Sequence, residues 1–162
     1  MTLPHLFGCE LYSSGPLKSV GDSALIVTRL KRTIYMGKQQ ISSIFVVDDE
    51  AVISESLAMI LQISGFAATS FVSPLAALSS ARASSPDLLI SDVFMPELSG
   101  IDLAIQLKRL CPDCKILLIS GHAGVAEMQK AAQAEGYEFN LLSKPIHPRD
   151  LISCVRSLDV QV

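Results

Sequence analysis

Five side chains with complementary chemistry recur at one kind of position in this sequence. Asp48 and Asp49 follow the apolar run SIFVV, Asp92 closes LLIS, Ser120 closes KILLI, and Lys144 comes just after NLLS. Acids resist burial, and two carboxylates about 4 Å apart repel by about 4 kcal/mol at an effective dielectric near 20. Asp48, Asp49 and Asp92 together therefore make a site that calls for a cation. The donors are hard oxygens with no His or Cys among them, so Mg²⁺ is the expected ion. A divalent ion and Lys144 bring the three carboxylates near neutrality, and an anionic phosphoryl group can then approach. An aspartate can accept such a group and hold it as an acyl phosphate. Asp92 is the best placed of the three, because it sits centrally, between the first and fourth strands. Mg²⁺ and Lys144 would offset charge on the transferring group, and Ser120 offers a hydroxyl to a phosphoryl oxygen.

The elements around these residues must bring them to one edge. From Ile41 the chain is regular. SIFVV, AATSFV, DLLISD, KILLIS and FNLLS read as strands, short and rich in branched or aromatic residues. Between them AVISESLAMILQIS has apolar residues at helical spacing and stops at Gly65. SPLAALSSARAS opens with Ser73 as N-cap and Pro74 at the first helical position. IDLAIQLKRL ends in basic residues that suit a helix C-terminus, and GVAEMQKAAQAEG and HPRDLISCVRSL complete the series. Strands of nearly continuous apolar character alternating with helices predict an α/β fold, a doubly wound five-stranded parallel sheet covered on both faces. In such sheets ligands bind beyond the carboxyl ends of the strands, where the strand order reverses. The five candidate residues all lie at such ends.

The chain has 162 residues, of which 49% are hydrophobic and 18% charged, enough for one ordinary core. It contains no run of roughly 18 apolar residues, and Glu10 breaks the apolar N-terminus, which argues against a membrane span or a secretory signal. A soluble, cytoplasmic protein is expected. Residues 1–40 hold five basic residues (Lys18, Arg29, Lys31, Arg32, Lys38) against two acids, a net of +3, and the other 122 residues carry a net of −6. The first 40 residues show no clean period, so they read as a basic extension to a domain spanning 41–162. Either they are a genuine tether, or translation begins at Met36. TRLKR reads as a solvated face. CPDC, residues 111–114, has redox or zinc spacing. It closes a helix and opens a strand, the reverse of a thioredoxin-like motif, and no second ligand pair exists, so its cysteines read as reduced and structural. His5 and His147 form no ligand cluster, and His122 reads as a loop residue rather than a catalytic base. Glu50 is expected to favour the N-terminus of the first helix.

Four segments, FVVDDE, LLISDVFMPELSGIDL, ILLISGHA and LLSKP, resemble the receiver domain of two-component response regulators, over about residues 41 to 159. The order of all four makes the resemblance specific. It implies the CheY-like, flavodoxin-like three-layer sandwich with strand order 2-1-3-4-5. It further implies that Asp92 accepts phosphate from a sensor histidine kinase's phosphohistidine. Asp49 would ligate Mg²⁺ directly, Asp48 mainly through water, and the Phe94 carbonyl would add a ligand. Ser120 would be the switch hydroxyl, Lys144 would pair with the phosphoryl group, and the Lys144–Pro145 peptide would be cis. Pro96 and Gly100 would shape the loop after Asp92. Such a domain is a phospho-accepting signalling module with limited autophosphorylation and autodephosphorylation, not a turnover enzyme. Phosphorylation would alter the face formed by the fourth helix, fifth strand and fifth helix, read by a downstream protein or by a homodimer. Neither membrane nor direct nucleic-acid binding is expected. The sequence stops soon after the last helix, with no output domain read after it.

Two departures stand out. Leu141 occupies the position, three before the lysine, where receivers often carry Tyr or Phe. Phe139, two residues earlier, reads as an ordinary core residue more readily than as a substitute. Phe94 stands where many relatives are polar, and its ring is expected to shield the acyl phosphate from water. Alternative functions are a phosphate-independent receiver-like scaffold, which Leu141 keeps open although the intact Asp48, Asp49, Asp92, Ser120 and Lys144 argue against it, and an aspartate-nucleophile phosphatase of the haloacid dehalogenase type. The latter wants D-x-D after its first strand, where this chain has adjacent Asp48 and Asp49. A flavodoxin-like FMN protein shares the topology, but the acidic edge is wrong for its phosphate.

Overall fold

The structure is a computed structural model, and it describes residues 40–121 and 124–160. The basic extension, except Gln40, and His122 lie outside these residues. Five strands alternate with five helices: β1 Ser43–Val47, α1 Ala51–Ile63, β2 Ala67–Phe71, α2 Pro74–Ala83, β3 Leu88–Asp92, α3 Gly100–Leu110, β4 Lys115–Ser120, α4 Val125–Ala134, β5 Asn140–Ser143 and α5 Pro148–Val160. All strand pairs are parallel, in the order β2-β1-β3-β4-β5. The order expected from the resemblance is the order found.

Side chains alternate across the strands, so each central strand feeds two cores. Phe45, Val47, Leu89, Ile116 and Leu118 pack with α2 and α3 residues such as Leu78, Leu103 and Leu107. Ile44, Val46, Leu88, Ile90, Leu117 and Ile119 pack with Leu57 and Leu61 of α1 and with Leu151 and Val155 of α5. Each such side chain, fully buried, stabilises the fold by roughly 1.5–3 kcal/mol relative to exposure. This explains why the strands read as unbroken apolar runs.

Local signals behave as expected. Ser73 caps α2 by accepting from the Ala76 N–H, with Pro74 in the first turn. Gly65 ends α1 with φ of 97°, a left-handed conformation that suits glycine. Ser99 caps α3 and accepts from the Asp102 N–H, and Lys108 and Arg109 lie in its last turn. Glu50 is the N-cap of α1, but its side chain makes no capping hydrogen bond, so its contribution is charge alone. Cys111 and Cys114 are free and buried at the junction of α3 and β4, as core residues. Among the described residues, no helix is long and apolar enough to cross a membrane.

Candidate functional site: a lysine bridging two buried aspartates

The strand order reverses between β1 and β3, and there the register sets Val47 beside Ser91. The next residues along, Asp48 and Asp92, are 2% and 7% exposed, so two carboxylates lie nearly dry at one sheet edge. Lys144 Nζ lies 3.1 Å from Asp48 Oδ2 and 2.7 Å from Asp92 Oδ1. One ammonium thus pairs with both acids and offsets half of their charge. The remaining carboxylate oxygens are held in matching fashion. The Glu50 N–H donates to Asp48 Oδ1 at 3.0 Å, and the Phe94 N–H donates to Asp92 Oδ2 at 2.8 Å. Each is an Asx turn, a side chain accepting from the backbone two residues on. Each turn leaves the second oxygen facing Lys144. Burial pulls the Lys144 pKa down, but hydrogen bonds to Asp92 and Asp48 outweigh it, and the net shift is upward.

Lys144 is placed by the neighbouring strands. Its N–H donates to the Ser120 carbonyl at 2.8 Å, extending the β4–β5 ladder one residue past the Ser120–Ser143 pair. The Lys144–Pro145 peptide is cis, as the resemblance implied. Ser120 is buried at the end of β4, and Gly121 follows with Lys144 Cβ 3.4 Å from where its own Cβ would stand. The loop after Asp92 is closed by Gly100, whose N–H donates to the Val93 carbonyl at 2.9 Å. A Cβ at Gly100 would come within 1.9 Å of the Asp92 carbonyl oxygen, so only glycine fits there. Pro96 and Gly100 shape this loop together with a residue the sequence did not single out. Glu97 has φ of 69°, and the Leu98 N–H donates back to the Pro96 carbonyl at 2.8 Å. No residue type announces this, since Glu has no preference for left-handed backbone.

Among the described residues the buried polar or charged ones are Asp48, Ser54, Ser91, Asp92 and Ser120, and three of these are expected site residues. A fourth, Ser91, donates its hydroxyl to the Asp92 carbonyl at 2.9 Å. Asp49 behaves differently and is exposed. Among the described residues no three Asp, Glu, His or Cys side chains gather closely enough to hold an ion. Asp49, the third of the expected carboxylates, is exposed while Asp48 and Asp92 are buried. Phe94 is 44% exposed at the rim, and Leu141 is 40% exposed on β5. Phe139 packs on the core and stacks with Tyr137 at 6.0 Å, which makes it the core residue expected. His147 is exposed in the loop before α5.

Comparison with known proteins gives the family. The family model described as the response regulator receiver domain matches residues 44–156. The chain belongs to the response regulator receiver family. The receiver is 33% identical over 116 residues to the response regulator protein TodT of Pseudomonas putida, covering 72% of this chain and 50% of TodT. It is 31% identical over 115 residues to the response regulator receiver protein CpdR of Brucella abortus, covering 71% of this chain and 94% of CpdR. A solved receiver domain protein from Clostridium thermocellum superposes with a TM-score of 0.64 at 29% identity, covering 72% of this chain and 92% of that one. The chain thus spans half the length of TodT but nearly all of CpdR. It carries a receiver domain of two-component systems, a signalling domain.

Proposed function

We propose that Asp92 accepts a phosphoryl group from the phosphohistidine of a sensor histidine kinase, in a Mg²⁺-dependent step. The observation that carries this reading is the Lys144 ammonium bridging buried Asp48 and Asp92 at the edge where the strand order reverses. The site suits a hard divalent cation. Asp48 and Asp92 offer oxygen donors that already need a positive charge between them. Asp48, Asp49, Asp92 and the Phe94 carbonyl would hold the ion. Mg²⁺, when bound, offsets negative charge on the three carboxylates and on the entering phosphoryl group.

The residues of the chain do the rest. An oxygen of the Asp92 carboxylate forms a bond to phosphorus as the phosphorus–nitrogen bond to the kinase imidazole breaks, leaving an aspartyl phosphate. The Asx turn to Phe94 holds one Asp92 oxygen and aims the other. Lys144, released from the carboxylates, pairs with a phosphoryl oxygen. The Ser120 hydroxyl donates to another and couples the modification to α4 and β5, whose face a partner reads. One phosphoryl group per chain makes this a switch, not a turnover catalyst, and it acts in the cytoplasm beside its kinase.

Incubation with a labelled small phosphodonor tests this. Wild-type protein with Mg²⁺ is expected to gain one acid-stable, base-labile phosphate per chain. Asp92→Asn, or wild type without divalent ion, is expected to gain none. Equal labelling of Asp92→Asn contradicts the assignment, and many phosphates released per chain would favour a phosphatase.

A further inference from the structure

The Asx turn that aims Asp92 contains two peptide planes, and each is held at both ends. On the first, the Val93 N–H donates to the Ile119 carbonyl at 3.0 Å, and the Asp92 carbonyl accepts from the Ser91 hydroxyl at 2.9 Å. On the second, the Phe94 N–H donates to Asp92 Oδ2 at 2.8 Å, and the Val93 carbonyl accepts from the Gly100 N–H at 2.9 Å. The partners at Ile119 and Gly100 are backbone groups, which no substitution deletes. The Ser91 hydroxyl is a side-chain group, and it can be removed alone.

Ser91 stands where the strand pattern calls for an apolar residue. It is 0% exposed, and its register partners, Val47 of β1 and Leu118 of β4, are buried in the core beneath α2 and α3. Side chains in register share a face of the sheet, so the hydroxyl enters an apolar layer. A hydroxyl buried there costs free energy unless it is bonded. The Asp92 carbonyl is what bonds it. Successive side chains point to opposite faces of a sheet, so Ser91 meets Asp92 through the backbone and not through the carboxylate.

We infer that Ser91 is a positioning residue for Asp92, an inference that rests on reading Asp92 as the phospho-acceptor. Its hydroxyl fixes the Asp92–Val93 peptide, and with it the direction in which the Asp92 carboxylate leaves the strand. Gly100 keeps other donors away. A Cβ there would stand 1.9 Å from the Asp92 carbonyl oxygen and 2.9 Å from Ser91 Oγ, so the Gly100 backbone closes over the pair and leaves no room for a water on that side. Without the hydroxyl the carbonyl is left short of a donor, and the peptide tilts to find one. The Asx turn then loosens, and the Asp92 oxygen that faces Lys144 loses its aim at the incoming phosphorus.

Three variants of the full chain and two readouts test this. Ser91→Ala removes the donor, Ser91→Cys leaves a weak one, and Ser91→Thr keeps the hydroxyl while adding a methyl group to a packed core. The first readout is amide hydrogen exchange. Exchange of the Phe94 N–H is expected to quicken about tenfold in Ser91→Ala and Ser91→Cys, with the Leu89 and Ile90 amides unchanged, and to return to within about twofold of wild type in Ser91→Thr. The second is labelling of Asp92 by a small phosphodonor at saturating Mg²⁺, whose rate is expected to fall about tenfold in Ser91→Ala and to recover in Ser91→Thr. A packing role would rank the variants by size instead and make Ser91→Thr the worst. That ranking overturns the inference, and so does a Phe94 amide indifferent to Ser91→Ala. A wild type that takes up no label overturns the acceptor reading, and the Phe94 amide then decides the role of Ser91 by itself.

Discussion

At the residue scale, Asp92 is poised because its two oxygens have different partners. The Phe94 N–H holds one, and Lys144 holds the other at 2.7 Å. The lysine can exchange one anion for another, whereas the backbone donor cannot leave. Phe94 therefore meets the site with two groups, its amide on the carboxylate and its half-exposed ring at the rim. Replacing the ring alone separates the two roles. Phe94→Asn keeps the amide and opens a path for water, and it is expected to shorten the half-life of the aspartyl phosphate several-fold, read by the decay of label after the donor is removed. An unchanged half-life means the ring does not shield the bond. The types of Asp48, Asp49, Asp92, Ser120 and Lys144 and their strand-end positions were legible because an apolar run that stops at a polar residue marks an edge. The exposure of Asp49 beside buried Asp48 was not legible, since the sequence cannot say which of two adjacent acids pairs with Lys144. Nor was the left-handed backbone at Glu97, which no side-chain preference signals.

At the element scale, the site depends on close backbone packing between the loop after β3 and the start of α3. Gly100 sits against the Asp92 carbonyl, where a Cβ would approach to 1.9 Å. Gly100→Ala must push the loop off the strand end. It is expected to cost about 2–4 kcal/mol in urea unfolding and to slow phosphorylation of Asp92 as well. A variant of wild-type stability shows that the loop can yield. The far end of α3 behaves as core. Burial pushes the Cys114 thiol up to about 12, helped by the nearby Cys111. Cys114 is expected to resist thiol reagents at pH 8 in the native state and to react fully in denaturant. Fast native labelling would return CPDC to the redox reading. Strand and helix positions were readable here because each central strand is buried on both faces and each helix carries its own stop signal. AATSFV was the weaker strand signal, whereas the least buried strand is β5, with exposed Leu141.

At the scale of the whole molecule, the sheet joins the edge that carries Asp48, Asp92 and Lys144 to two sets of helices, α1 with α5 on one face and α2 to α4 on the other. Lys144 couples that edge to global stability. Its pKa is raised in the folded protein, so its contribution is fully present below the unfolded value near 10.4 and is lost as pH rises through the folded value. The stability gap between wild type and Lys144→Met is therefore expected to be constant from pH 7 to about 9 and to shrink above pH 10. A gap independent of pH would place the role of Lys144 in packing rather than charge. The shared span with TodT, half of that protein, sets the reach of the family comparison at the receiver domain.

The most direct measurement is a crystal structure of the chain with Mg²⁺ and beryllofluoride, a mimic of the phosphoryl group. The account predicts beryllium bonded to an oxygen of Asp92, the metal against Asp49 and the Phe94 carbonyl, and Lys144 Nζ moved from Asp48 to a fluorine. A mimic bound to any other carboxylate, or a Lys144 still bridging Asp48 and Asp92 with the mimic in place, would contradict it.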